Sequence, residues 1–309
     1  MDYNTAVTQF SCPICETRCN TRYLNASDPL TSHSFSVHGC ANCHHGYTQP
    51  VPEDLGRYYG DRYYGNRHSL TSRWCSWRRM RVVSQSVQAN SPGKILDIGC
   101  GDGSFLIAAR ARGWNVYGTE LNLDGLRDPK IAVVSTIGDA QQFAPFDCIT
   151  LWHSLEHFLD PRQALLDLHP LLAPNGTLLI AVPNAYGSQA RLFGTNWLAL
   201  DVPRHLHHFS SQSLQLLLTQ TGFKPSRLWH HEAEYDIFGW MQSVINKVHH
   251  KPNVLFDLLT GRKLQLSPLA RTTQLLAGAL LFTPAFILTV ITTWLQVGGT
   301  LLQSSKPVR

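Results

Sequence analysis

KILDIGCGDGSFLIAARARG, residues 94–113, opens on a short apolar run, turns through three glycines and two aspartates, and leaves as an amphipathic pattern. The run reads as a buried strand. The amphipathic part reads as a helix that stops at Gly113, where glycine makes a good C-terminal cap. Working outward, WNVYGTE (114–120), IAVVSTI (131–137), FDCITLW (146–152) and GTLLIAVP (176–183) read as further strands. DPRQALLDLHPLLA (160–173) reads as a helix with Asp160 as N-cap and Pro161 at its first position. SSQSLQLLLTQTGF (210–223) is another helix, followed by the strand KPSRLWHHE (224–232). Strands alternating with helices predict an α/β, Rossmann-like fold, its sheet mainly parallel and covered by helices on both faces.

In such sheets ligands sit at the carboxyl ends of the strands, beside the first strand, and DIGCGDG lies there. Gly99, Gly101 and Gly103 let the chain turn sharply and let a ligand approach the amides. A dinucleotide loop would carry G-x-G-x-x-G, but the third glycine falls on Ser104. Asp97 before the turn and Asp102 within it would repel a pyrophosphate and attract an ammonium or sulfonium. Glu120, ending the second strand, is placed to accept both hydroxyls of a ribose. Asp139, after the third strand, is placed to accept from an exocyclic amine such as that of adenine. An amino-acid cation joined to an adenosine is S-adenosylmethionine.

With those residues in place, ILDIGCGDGSFL, VYGTELN, FDCITLWHSLEHFLDP and GTLLIAVPN resemble the successive motifs of class I S-adenosylmethionine-dependent methyltransferases, over about residues 93–235. The departure is LNLDGLRDPKIAVV, which leaves a short or irregular helix after Glu120 where that family has a full one. WHSLEHFLDP puts His153, Glu156 and His157 after the fourth strand, near the expected methyl group, with His153 assigned to the cofactor side. DVPRHLHHFS (201–210) carries Asp201, Arg204, His205, His207 and His208 on a long loop after the fifth. A histidine near its ordinary pKa is a suitable general base for methyl transfer to oxygen or nitrogen. In the subgroup that the chain resembles, LEH…DP and PRHL-x-HF recur together and line the acceptor pocket. That resemblance implies Glu156, His157, Arg204, His205 and His208 as catalytic candidates.

CPIC (12–15) and CANC (40–43) are paired C-x-x-C knuckles. Four thiolates in tetrahedral reach suit one structural zinc, held by Cys12, Cys15, Cys40 and Cys43, with Cys19, His38, His44 and His45 as nearby substitutes. The tyrosines at 58, 59, 63 and 64 repeat at near-helical spacing and read as core packing.

The chain has 309 residues, 43% of them hydrophobic and 15% charged, which is globular rather than disordered and leaves room for more than one module. A formal charge of +5 is a mild excess. WCSWRRMR (74–81) is the nearest approach to a basic run and reads as an amphipathic helix, which counts against nucleic acid. MDYNTAVTQF lacks the basic start and apolar centre of a secretory signal, so a cytoplasmic protein with reduced thiols is expected. Between Arg271 and Lys306 no residue is charged. LLAGALLFTPAFILTVITTWL (275–295) is long enough to cross a bilayer. Pro284 at its centre instead predicts two short helices, a hairpin dipping into the inner face of a membrane, with Arg262, Lys263 and Arg271 at the lipid head groups. GGTLLQSSKP then reads as a last strand returning to the sheet.

The expected organisation is a zinc ribbon over 1–50, an aromatic helical linker over 51–92, the S-adenosylmethionine-binding core over 93–235, a membrane-facing helical insertion over 236–297, and a last strand and tail over 298–309. The expected activity is methyl transfer to a small or lipid-linked acceptor of glycan, polyketide-like or quinone type. A ribosomal-RNA methyltransferase carrying a zinc ribbon is one alternative, and a non-catalytic, membrane-docked cofactor-binding module is another. The oligomeric state is not legible.

Overall fold

The computed structural model describes residues 10–59, 69–87, 92–249, 251–260 and 266–308. Tyr63, Tyr64, Arg262 and Lys263 lie outside the described residues.

The N-terminal part is a meander of β1 (Phe10–Ser11), β2 (Arg18–Ser27), β3 (Ser34–Cys40) and β4 (Gly46–Gln49), each antiparallel to the next. A turn at Gly56–Tyr58 and helix α1 (Ser69–Ser86) lead to β5 (Lys94–Ile98). Next along the chain come α2 (Ser104–Arg110), β6 (Asn115–Thr119), β7 (Ala132–Val134), β8 (Phe146–Trp152), α3 (Pro161–Leu168), β9 (Leu172–Pro183), α4 (Ser188–Phe193), β10 (His207–His208), α5 (Ser211–Gln220) and β11 (Phe223–Trp229). The chain ends with α6 (Ala233–Val248), α7 (Val254–Leu259), α8 (Pro268–Trp294) and β12 (Thr300–Pro307).

Seven strands form the main sheet in the order β11-β12-β9-β8-β5-β6-β7. β5, β6, β7, β8 and β9 are parallel, whereas β12 runs antiparallel to both β9 and β11. β5 and β8 are central, hence their unbroken apolar runs: Ile95, Leu96, Ile149 and Leu151 are fully buried. Local signals set the helix starts. Asp160 Oδ1 accepts from the amide of Gln163 at 2.9 Å with Pro161 behind it, and Ser210 and Ser213 form a reciprocal capping box for α5. After Glu120 only a 3-10 turn forms, Leu123–Gly125.

Two features differ from the reading of sequence. The apolar tract is not a hairpin: α8 runs unbroken for 27 residues through Pro284. Pro284 is exposed and interrupts none of the packing against the protein, and the buried stripe of α8 on either side of it stays docked. The cysteine-bearing meander does not stop at residue 50 in space. β10, from the histidine loop, pairs antiparallel with β4 and completes a five-stranded sheet.

Candidate active site

The glycine turn leaves β5 at the switch point between β6 and β8. Gly99, Gly101 and Gly103 have φ of +70°, +56° and +73°, a region that side chains disfavour. A Cβ on Gly99 would meet Ser154 at 3.0 Å, while one on Gly101 would face open space. The turn is therefore a cradle on one side and a close packing point on the other. Glu120 Oε2 accepts from the Gly101 amide at 2.8 Å, and Oε1 accepts from Leu121 at 2.8 Å, which fixes the carboxylate at the rim of the turn. Asp97 is buried and accepts from Thr150 Oγ1 at 2.7 Å. Burial pushes its carboxyl up to about 7, against the pull of Thr150 and Arg79. Asp102 is held in an ion pair with Arg127 at 2.9 Å, so its charge is shared rather than offered whole to a ligand. Asp139 begins a 3-10 turn and accepts from Thr136 Oγ1 at 2.7 Å, exposed at the far end of the crevice. A bare turn flanked by carboxylates at the ends of β5, β6 and β7 fits an adenosyl cation.

Beyond β8 the chain enters the 3-10 turn Leu155–His157. His153 has φ of +55°, a strained value for an imidazole-bearing residue. Its Nε2 is 2.7 Å from Glu232 Oε2 and its Nδ1 is 3.6 Å from Glu156 Oε1. Burial opposes protonation of His153, but the Glu232 carboxylate outweighs it and raises the imidazole to about 10. Glu232 also pairs with Arg78 and Arg79 of α1, and these charges hold it well below the carboxylate range despite burial. Sequence reading passed over Glu232. Its only signal is position, at the end of a strand whose carboxyl end faces the crevice.

Glu156 is fully buried, and among the described residues neither of its oxygens accepts a hydrogen bond. Burial raises its carboxyl, yet His153, His157 and His205 bring it out below the usual value. His205 Nε2 is 3.9 Å from Glu156 Oε1. Glu156, His157 and His205 each bring a donor atom within 4.8 Å of the others. His157 Nδ1 lies 2.9 Å from the Arg204 carbonyl and His205 Nδ1 lies 2.9 Å from the Ala199 carbonyl. Carbonyls only accept, so both Nδ1 atoms carry a proton, and in a neutral ring the lone pair is then on Nε2. Burial, with His205 alongside, brings His157 down to about 4, so it is neutral at pH 7. The arrangement can accept a proton from a hydroxyl or hold a cation.

Arg204 and His208 stand apart from this cluster by function of their polar atoms. Arg204 Nη2 donates to Asp28 Oδ1 at 2.7 Å and to Asp201 Oδ1 at 2.6 Å. Thr48 Oγ1 donates to the His205 carbonyl at 2.7 Å and so accepts from His208 Nε2 at 2.8 Å. Both side chains tie the loop to the meander. Tyr59 Oη reaches His157 Nδ1 at 2.9 Å, while Tyr58 is buried against Phe35.

At the tip of the meander, Cys12 and Cys43 sulfurs are 3.5 Å apart and Cys15 and Cys40 sulfurs 3.4 Å apart, with all four within 4.8 Å. A tetrahedron with metal–sulfur bonds of about 2.3 Å has edges of about 3.8 Å, so the four thiols could hold a zinc ion. Cys19 points to the Thr17 carbonyl and His45 to His207, and neither joins the group.

The sheet order, the glycine cradle and the acidic strand ends define a class I S-adenosylmethionine-dependent methyltransferase. A family model described as a methyltransferase domain matches residues 67–228, more than half of the chain, and the chain belongs to that family. It is 30% identical over 178 residues to a ubiquinone biosynthesis O-methyltransferase of Pseudomonas aeruginosa (strain UCBPP-PA14), covering 51% of this chain and 72% of that one. A second enzyme of that description, from Idiomarina loihiensis, is 31% identical over 104 residues, 29% of this chain and 42% of the other. Phosphoethanolamine N-methyltransferase 2 of Haemonchus contortus superposes with a TM-score of 0.51 at 13% identity, over 85% of this chain and 62% of that one, a likeness of fold.

Proposed function

We propose that the protein methylates a hydroxyl oxygen of a quinone-type, lipid-linked acceptor. The observation that carries this is Glu156, a buried carboxylate that accepts no hydrogen bond within 3.5 Å among the described residues and lies 3.6 Å from His153 and 3.9 Å from His205 at the end of β8. A buried charge without donors needs one, and a phenolic or enolic hydroxyl supplies it. The similarity to ubiquinone biosynthesis O-methyltransferases supports the same acceptor chemistry.

Asp97, Glu120 and Asp139, with the amides of Gly99, Gly101 and Gly103, hold the cofactor, whose bound sulfonium supplies an electrophilic methyl. Glu156 would orient the acceptor hydroxyl and, with His205 Nε2 beside it, take up the proton that the hydroxyl loses on methylation. His153, kept cationic by Glu232, faces Glu156 and would keep that carboxylate ionised. Arg204, His208 and Tyr59 position these groups. Zinc at the four cysteines is a structural element that holds the meander against the histidine loop. A lipid-linked acceptor places the enzyme in the cytoplasm at the inner face of a membrane.

A ribosomal-RNA substrate would want a basic meander. Arg22 is instead spread over the rings of Tyr23 and Tyr186. The test is incubation of the purified protein with methyl-labelled cofactor and either the lipid or the aqueous fraction of a cell extract. Label in a lipid-soluble product that alkaline hydrolysis leaves as a methyl ether supports the reading. Label only in aqueous products, or in RNA, overturns it.

A further inference from the structure

α8 is inside out for a helix in water. The stripe that it turns to the protein is mostly small or polar: Gln274, Gly278, Ala285, Thr289 and Thr292 are buried, with Ala277 and Leu281 half-buried beside them. The opposite face is large and apolar: Leu276 is 58% exposed, Leu280 78%, Ile287 50% and Trp294 81%. A soluble helix buries its leucines and shows its threonines. Small and hydroxyl-bearing residues facing protein, with Leu, Ile and Trp facing away, are the pattern of a helix whose far side meets hydrocarbon. The threonines that α8 buries donate to its own carbonyls, Thr289 to Ala285 at 2.8 Å and Thr292 to Leu288 at 2.7 Å, so no partner helix is needed to satisfy them.

Charge says which surface covers it. Residues 237–309 carry seven lysines and arginines against a single acid, Asp257, which is buried. α6 and α8 run antiparallel, since Asp236 at the start of α6 bonds Thr300 just beyond α8, and Met241 lies against Gly278. Lys247, Lys251 and Arg271, all exposed, therefore gather at the end of α8 remote from the sheet. We propose that the Leu276–Leu280–Ile287–Trp294 face of α8 docks the protein on an anionic lipid bilayer, with the helix lying in the plane of the interface and that cationic end at the head groups. Crossing is disfavoured because the inner stripe leans on α6 and α7 through the middle of the helix, and β12 re-enters the sheet directly after it. The inference goes beyond the proposed acceptor and supplies the way a lipid-linked one would be met.

The test is flotation of the full chain with vesicles of phosphatidylcholine alone and of phosphatidylcholine with phosphatidylglycerol. The readouts are the bound fraction, oligomeric state by light scattering and cofactor affinity by calorimetry. Binding is expected with the anionic vesicles, at least about tenfold weaker with neutral ones or in high salt. Leu280→Glu/Ile287→Glu should abolish flotation and leave a monomer with unchanged cofactor affinity, which also shows that it folds. Lys247→Ala/Lys251→Ala should keep the weaker, neutral-vesicle binding and lose the anionic preference. A wild-type monomer that binds neither vesicle overturns the proposal. So does a dimer that the Glu variant splits, which would make a second copy the occupant, or resistance to alkaline carbonate extraction, which would mean a span. Failure of acceptor methylation with flotation intact would count against the proposed function alone.

Discussion

His153 Nε2 meets Glu232 Oε2 at 2.7 Å, joining the end of β8 to the residue before α6 and setting a cation between two buried acids. The unfolded imidazole titrates near its ordinary 6.5 and the folded one near 10. Protonation thus favours the fold: the contribution is complete below about pH 6.5 and is lost as pH rises toward 10. Thermal stability should decline across that window. Glu232→Gln should flatten the decline and return the His153 titration, followed by NMR of the imidazole, toward neutrality.

Glu156→Gln keeps size and removes the acceptor of the hydroxyl proton. Turnover should fall by about a hundredfold or more, the usual reach of a general base. Calorimetric affinity for the cofactor should be unchanged, because Glu156 lies on the acceptor side of β8. Equal losses in both would place Glu156 in the cofactor pocket instead.

Asp97 carries a proton up to about pH 7 in the free protein, because burial disfavours its charge. Its raised value means that its contribution to the fold is complete below about pH 3.8, where both states carry the proton, and is lost as pH rises to 7. A cationic ligand needs the carboxylate. Affinity for S-adenosylmethionine should rise by nearly tenfold per pH unit from about 5 to 7 and level off above, with one proton released on binding. Asp97→Asn should bind about 10- to 100-fold more weakly at pH 8 and show no such slope. Calorimetry in two buffers of different ionisation heat reads both.

Cys40→Ser should cost the meander its metal and loosen the wall that Thr48, His45 and Asp28 build for the histidine loop. Metal analysis, turnover and cofactor affinity should show loss, loss and retention in that order. Asp28→Ala, which removes one of the two carboxylates paired with the buried Arg204, should lower unfolding free energy in urea by about 3 kcal/mol.

The glycine turn, the parallel strands and the four cysteines were legible because each is a local pattern with one physical reading. α8 was read as two helices because proline usually ends a helix. That rule counts the hydrogen bond lost to the Leu280 carbonyl and the clash with it, both within the helix, and leaves out the tertiary packing of Gly278, Ala285, Thr289 and Thr292 that holds α8 together on both sides of Pro284. Glu232 carried no motif; its importance comes from Arg78, Arg79 and His153, which only the sheet brings to it. The resemblance groups Arg204 and His208 with the acceptor histidines, whereas in the structure Asp28 holds Arg204 and Thr48 holds His208, contacts across about 160 to 176 residues that a local motif does not encode.

The pairing of β10 with β4 also sets how the chain can be cut. His207 and His208 close the hydrogen-bonding edge of a strand that would otherwise stand open, and His45 and Thr48 in turn satisfy imidazoles buried out of reach of water. A shortened form starting after residue 50 would keep every strand of the large sheet and still strand those rings. Residues 10–50 are a wall of the enzyme rather than an attachment to it.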